Sequence, residues 1–283
     1  YNNGISKAGA AMVYYGSEAG LADVPDWSYV SPQRDANLGN AVAGGGDLDG
    51  DGYDDLIVAS RWYSDTFAKE GAVLIFYGSA QGLPQPASPD LMITGRQAGA
   101  LLGSAVAAGG DANGDGYDDV LIGAPQYNGV LLDQGAVFLH LGGPGGLSPT
   151  PAWAAYGPQE GSWLGGAVAW AGDVNGDGYD DLAAGAPGDA LRVPYGTVYV
   201  YYGAAGGPGL HPGAVMTVAQ PGSGFGTALA GARDMDGDGY DDLLAGAYRL
   251  AYAVAPQNAE GAALLYFGSR TGIGSAPGWV RWG

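Results

Sequence analysis

The sequence predicts an all-β chain organised as a β-propeller of four-stranded antiparallel blades. Three observations carry that reading. Fifty-five of the 283 residues are glycine with no Gly-X-Y period, which excludes collagen and asks for many tight turns. Apolar residues alternate in short runs, and no 3.6-residue period runs long enough for a helical solenoid. Above all, an acidic stretch recurs at Asp47, Asp111, Asp173 and Asp234, at spacings of 64, 62 and 61 residues.

The strands follow in order within each unit. A small-residue strand comes first: "LGNAVAGGG", "LGSAVAAGG", "LGGAVAWAG" and "FGTALAGAR". Glycine and alanine suit the crowded centre of a ring of blades. After the acidic stretch a second strand reads "DDLIVAS", "DDVLIGAP", "DDLAAGAP" or "DDLLAGAY". A variable loop leads to a third strand rich in large apolar residues: "GAVLIFYGS", "GAVFLHLGG", "GTVYVYYGA" and "GAALLYFGS". A weaker fourth strand, such as "DLMITG" or "GWVRWG", closes each unit. Four strands in about 60 residues make a blade. The expected blades are 38–94, 102–156, 164–218 and 225–283. Residues 1–31 hold a third and a fourth strand only, an outer half-blade without its inner pair. Four blades and two outer strands cannot seal a five-blade ring, so the expectation is a segment of a longer propeller. The remaining blades would come from the same longer chain or from another chain.

Each acidic stretch has ligand-type oxygens at its first, third, fifth and ninth positions. They are Asp47, Asp49, Asp51 and Asp55; Asp111, Asn113, Asp115 and Asp119; Asp173, Asn175, Asp177 and Asp181; Asp234, Asp236, Asp238 and Asp242. Tyr53, Tyr117, Tyr179 and Tyr240 stand at position seven, where a backbone carbonyl would complete the set. Two carboxylates about 4 Å apart repel by roughly 1 kcal/mol even in water. Alternating oxygens in a loop folded by glycine are how proteins hold Ca²⁺. An EF-hand would need Glu at position 12 and flanking helices. Here that position is Val58, Ile122, Ala184 or Ala245, within an apolar strand. Metal-free Asx turns are the alternative for a single copy, and four copies with one spacing argue against it. The expectation is about four structural Ca²⁺ ions. Asp54, Asp118, Asp180 and Asp241, at position eight, are expected to bond to the loop backbone rather than to the ion.

These units resemble the FG-GAP repeats of integrin α-subunit propellers. Phe225-Gly226 keeps the "FG" element, and leucine precedes Gly39, Gly103 and Gly165. "GAP" stands at 123–125 and 185–187, altered to Ala59-Ser60 and to "GAY" at 246–248. The resemblance implies a seven-bladed ring with calcium loops on one face and ligand binding on the other. With no cysteine and no Asn-x-Ser/Thr acceptor, the chain is expected to be a bacterial relative.

Bulk composition limits the function. Charged residues are only 14%, yet the net charge is −19. Nucleic acid is excluded as a partner, because its backbone requires clustered Lys and Arg. Without cysteine there are neither disulfides nor thiolate metal sites. No apolar run spans a bilayer. His140 and His211 lack a nearby nucleophile, and the carboxylates are committed to calcium, so the chain is expected not to be an enzyme. On the face away from the acidic loops, the variable loops and blade connectors carry Arg34, Arg61, Arg96, Arg192 and Arg249. The same segments carry Trp62, Tyr63, Tyr127, Trp163, Tyr195 and Tyr252. Arginine and aromatic residues on loops are the composition of binding hot spots. The reading is a calcium-stabilised, non-catalytic adhesion or protein-recognition module, extracellular, at the cell surface or periplasmic. Its alternatives are a carbohydrate-binding propeller and the accessory propeller of a larger secreted enzyme.

Overall fold

The computed structural model describes residues 6–18, 20–188, 192–251 and 260–283. The described residues contain strands and turns and no α-helix. β1 (Ala10–Val13) and β2 (Trp27–Val30) form a two-stranded sheet, the half-blade. Four four-stranded antiparallel sheets follow. The first holds β3 (Leu38–Gly46), β4 (Asp55–Ser60), β5 (Ala72–Phe76) and β6 (Leu91–Thr94). The second holds β7 (Ala105–Gly110), β8 (Asp119–Ala124), β9 (Ala136–His140) and β10 (Trp153–Tyr156). In the third are β11 (Ala167–Gly172), β12 (Asp181–Ala186), β13 (Thr197–Tyr201) and β14 (Ala214–Thr217). In the last are β15 (Phe225–Arg233), β16 (Asp242–Ala247), β17 (Ala262–Tyr266) and β18 (Trp279–Trp282). Within each sheet the strands pair in chain order, as a propeller blade requires.

The small-residue strands line up next to one another: β3 packs on β7, β7 on β11, and β11 on β15. The spacing leaves no room for side chains at key points. A Cβ on Gly123, the glycine of "GAP", would collide with the carbonyl of Gly165 in the next sheet. Gly185 meets the carbonyl of Gly226 in the same way. The two glycine elements of the repeat are thus two sides of one backbone contact between blades.

Apolar cores fill the joints between sheets rather than the sheets themselves. Trp27, Leu74 and Phe76 join the half-blade to the first blade. Ile75, Ile93, Val120 and Ile122 join the first to the second. Leu139, Trp153, Leu182 and Tyr201 follow at the third joint, and Val198, Met216, Leu243 and Tyr266 at the fourth. The middle strands β8 and β12 are buried along their whole length, since each has a neighbour on both faces. Just before every acidic loop the pairing of first and second strands slips by a bulge. The bulge turns the chain out of the sheet and into the loop.

Candidate calcium loops and the opposite loop face

Antiparallel order places the loops between first and second strands at one end of every blade, and the loops between second and third strands at the other. The four acidic loops therefore share a face. Their internal bonding is nearly identical. The first-position carboxylate accepts from the amide at position four: Asp47 from Gly50, Asp111 from Gly114, and Asp173 from Gly176, each at 2.7 Å. In the fourth loop Asp234 accepts from Gly237 at 2.6 Å. Its other oxygen accepts from the sixth-position glycine at 2.9 Å in all four loops. The fifth-position carboxylates of Asp51, Asp115, Asp177 and Asp238 accept from the tyrosine amide at position seven. In the second loop the Asn113 amide also donates to Asp115, at 2.9 Å.

The ninth-position aspartates are buried at 0–4% exposure, which is unusual for a carboxylate without a cationic partner. Backbone amides surround each one. Asp119 accepts from Ala112 and Gly142, Asp181 from Val174 and Gly203, Asp55 from Leu48 and Gly78, and Asp242 from Met235 and Gly268. Burial pushes the Asp119 and Asp181 carboxyls up to about 7 and Asp55 up to about 6; these amides pull them down, and the neighbouring loop aspartates raise them further.

The donor set fits a divalent cation. Asp47, Asp49 and Asp55 bring one carboxylate oxygen each within 4.8 Å of one another, as do Asp234, Asp236 and Asp242. Oxygens bound at 2.3–2.6 Å to one Ca²⁺ lie at most about 5 Å apart. Asp51 and Asp238 fall outside these tight groups. In the second and third loops Asn113 and Asn175 stand where the first and fourth have a third carboxylate.

The position-eight aspartates bond to backbone, as the spacing predicts, but to the backbone of the preceding blade. Asp118 accepts from the Asp47 amide at 2.7 Å, and its own amide donates to the Asp47 carbonyl at 3.2 Å. Asp180 clasps Asp111 with bonds of 2.9 and 3.1 Å, and Asp241 clasps Asp173 with 3.1 and 3.2 Å. The carbonyls of Leu48, Ala112 and Val174 accept a further amide from Gly143, Ala204 and Ser269 of the next blade. The rings of Tyr117, Tyr179 and Tyr240 cover Gly50, Gly114 and Gly176 across the same joints. Each acidic loop is thus a fastener between blades. Asp54 and Tyr53 head the first complete blade and are exposed.

The sequence profile of the FG-GAP repeat matches at residues 38–76, 102–140, 164–201 and 225–264, more than half of the chain. The chain belongs to the FG-GAP repeat family. Its relatives among curated proteins include integrin alpha-PS2 of Drosophila melanogaster, 40% identical over 171 residues, covering 55% of this chain and 12% of that protein. Mouse integrin alpha-IIb is 38% identical over 179 residues, 60% of this chain and 17% of that one. Integrin alpha pat-2 of Caenorhabditis briggsae is 31% identical over 244 residues, 80% of this chain and 19% of the relative. The FG-GAP chain therefore spans less than a fifth of the length of these integrin subunits.

On the opposite face of this FG-GAP propeller the loops differ from blade to blade. Arg34, Arg96, Arg192, Arg249 and Tyr195 are exposed; Arg61, Trp62 and Trp163 are half-buried. Trp62 has the Arg61 guanidinium 5.1 Å from its ring centre and the Lys69 ammonium 5.9 Å away. Arg192 pairs with Asp133 at 3.7 Å. Two of the predicted contact residues pack inward: Tyr127 stacks edge-on against Phe138 at 5.5 Å, and Tyr63 joins the first-joint core. Tyr252 lies outside the described residues. The glutamines at the connectors escaped the sequence reading. Gln33 grips both backbone groups of Ser64, Gln97 those of Asn128, and Gln220 bonds to Arg249 and Ala251. Gln33, Gln97, Gln159 and Gln220 share the period of the acidic loops, and that period was the available signal.

No helix among the described residues is long and apolar enough to cross a membrane.

Proposed function

We propose that this chain is a calcium-stabilised, non-catalytic adhesion or protein-recognition propeller, extracellular or at the cell surface, which binds its partner through the face opposite the acidic loops. Four Ca²⁺ ions, one per loop, are held by side chains at positions one, three, five and nine and by the tyrosine carbonyl at position seven. The ion supplies positive charge that holds the carboxylates together, with no part in bond making. The ring is seven-bladed when complete, with further blades from the longer chain or another chain.

The observation that carries this reading is the division of labour between faces. Eighteen of the 29 acidic residues sit in the four repeated loops, where backbone bonding commits them to holding blades together. Five of the eight arginines sit in the variable loops and blade connectors of the other face, where sequence changes leave the sheets intact. The integrin relatives support adhesion as the class of function.

The test is cell adhesion to surfaces coated with the calcium-loaded protein. The triple variant Arg34→Glu, Tyr195→Ala, Arg249→Glu, at exposed positions, should lose adhesion while keeping its melting temperature. Adhesion unchanged in that variant would move the binding face elsewhere.

A further inference from the structure

The four joints between sheets share one strand register and differ in the side chains that fill it. The last residue of each third strand faces the preceding sheet: Phe76, His140, Tyr201 and Tyr266, exposed by 0, 2, 4 and 1%. Three are aromatic and one is histidine. In the first and third joints a tryptophan from the preceding fourth strand meets that residue. Trp27 lies 4.9 Å from Phe76 and Trp153 lies 4.8 Å from Tyr201. The indole N–H groups donate to the carbonyls of Pro84 and Gly209, each at 3.1 Å. In the second joint Leu91 occupies the tryptophan's register, opposite Ile75 as Trp27 is opposite Val13. Ile93 stands where the first joint has Tyr29, whose ring is 5.2 Å from Phe76.

Against the first joint, three large rings are therefore replaced by smaller groups in the second, and the packing does not close over the loss; the fourth joint has Ala214 in the tryptophan's register but keeps the ring of Tyr266. A cavity of about 210 Å³ lies in the second joint, against about 70 Å³ at the corresponding place in the first joint. Ile93, Leu102, Phe138 and Pro149 form apolar walls, and the exposed Arg96 stands at the rim. The Ser148 carbonyl, counterpart of Pro84, is satisfied by His140 Nδ1 at 2.8 Å. That bond needs the proton on Nδ1 and leaves Nε2 as an acceptor. Among the described residues no protein group bonds Nε2. Burial holds the imidazole below its ordinary pKa, which keeps this lone pair free.

We propose that this cavity binds a planar aromatic ring carrying one hydrogen-bond donor and a nearby carboxylate. The ring replaces those missing from the joint, its N–H or O–H donates to His140 Nε2, and the carboxylate pairs with Arg96. A free aromatic acid has this chemistry, and so does a Trp or Tyr side chain beside an acidic residue in a protein. The site does not depend on calcium, and it borders the proposed partner-binding face, with which it shares Arg96 and Tyr127.

The experiment is calorimetry on the calcium-loaded chain, with imidazole NMR of His140 on the same samples. The probes are indole-3-acetate, 1-methylindole-3-acetate, indole, and the blocked dipeptide N-acetyl-Trp-Glu-amide. Indole-3-acetate or the dipeptide should bind one saturable site and shift the His140 resonances. Methylation of the indole nitrogen should weaken binding about tenfold, since a buried acceptor loses its donor. Ile93→Tyr refills the cavity from within and should abolish binding without lowering the melting temperature; His140→Phe should abolish it too, at the cost of the bond to the Ser148 carbonyl. Arg96→Gln should weaken indole-3-acetate about tenfold and leave indole itself unchanged. Tighter binding of the dipeptide would assign the site to a protein side chain, and tighter binding of the free acid to a small ligand. No saturable binding of either, or binding that survives both cavity-filling variants, would overturn the proposal.

Discussion

On one face of the propeller, four loops repeat nearly residue for residue; on the other, no two loops are alike. The difference lies in what holds each loop. In the acidic loops almost every carboxylate is tied to backbone amides of its own loop or of the adjacent blade. Changing one residue there disturbs a blade and its neighbour together. The opposite loops share a connector glutamine as anchor, and their other bonds differ from loop to loop, such as Asp65 and Phe67 donating to Glu70 in one and Asp133 donating to Asn128 in the next. Beyond the shared glutamine the anchors themselves vary, and a binding surface can be written there without rebuilding the sheets.

The contrast can be broken most sharply at the ninth position. Asp181→Ala removes the acceptor for the buried amides of Val174 and Gly203. We expect a loss of about 3 kcal/mol or more, because buried donors left unsatisfied cost their full desolvation. Chemical denaturation measures it, and a loss under about 1 kcal/mol would mean that the carboxylate is not the centre of its loop.

The clasp offers a comparison within one protein. Asp180→Ala cuts the acceptor that holds the Asp111 amide across a joint. Its expected cost is about 1–2 kcal/mol, in the range for bonds to charged acceptors. Asp54→Ala changes the same position of the repeat where no complete blade precedes it, and should stay within about 0.5 kcal/mol of wild type. Equal effects at the two sites would show that position eight acts within its own loop and not between blades. A smaller effect is expected on the variable face. Gln97→Ala should cost about 1 kcal/mol and expose the loop after Asn128 to faster amide exchange.

Much of this architecture was legible in the residues. The period of the acidic stretches, with apolar runs on either side, specified four blades and a half-blade. The first-strand glycines and alanines announced close approach of backbones, and Gly123 against Gly165 is that approach. What stayed hidden depends on contacts between repeats rather than within one. Nothing in "DGYDD" says that its first aspartate after tyrosine reaches the preceding blade. Likewise, Tyr127 looks like a surface aromatic until Phe138 is found beneath it. His140 was visible only as an isolated histidine in a strand. Its meaning comes from alignment with Phe76, Tyr201 and Tyr266, because a gap in packing shows only against joints that are filled.

Calcium held in the acidic loops would fasten blade to blade. Thermal unfolding with saturating Ca²⁺ and after chelation, with bound metal counted on the same sample, tests that most directly. The expected result is about four ions per chain and a large fall in melting temperature on chelation. Each site would contribute about 2.7 kcal/mol at a hundredfold excess of Ca²⁺ over its dissociation constant. No bound metal and an unchanged melting temperature would contradict it, leaving the loops as turns held by their own backbone bonds.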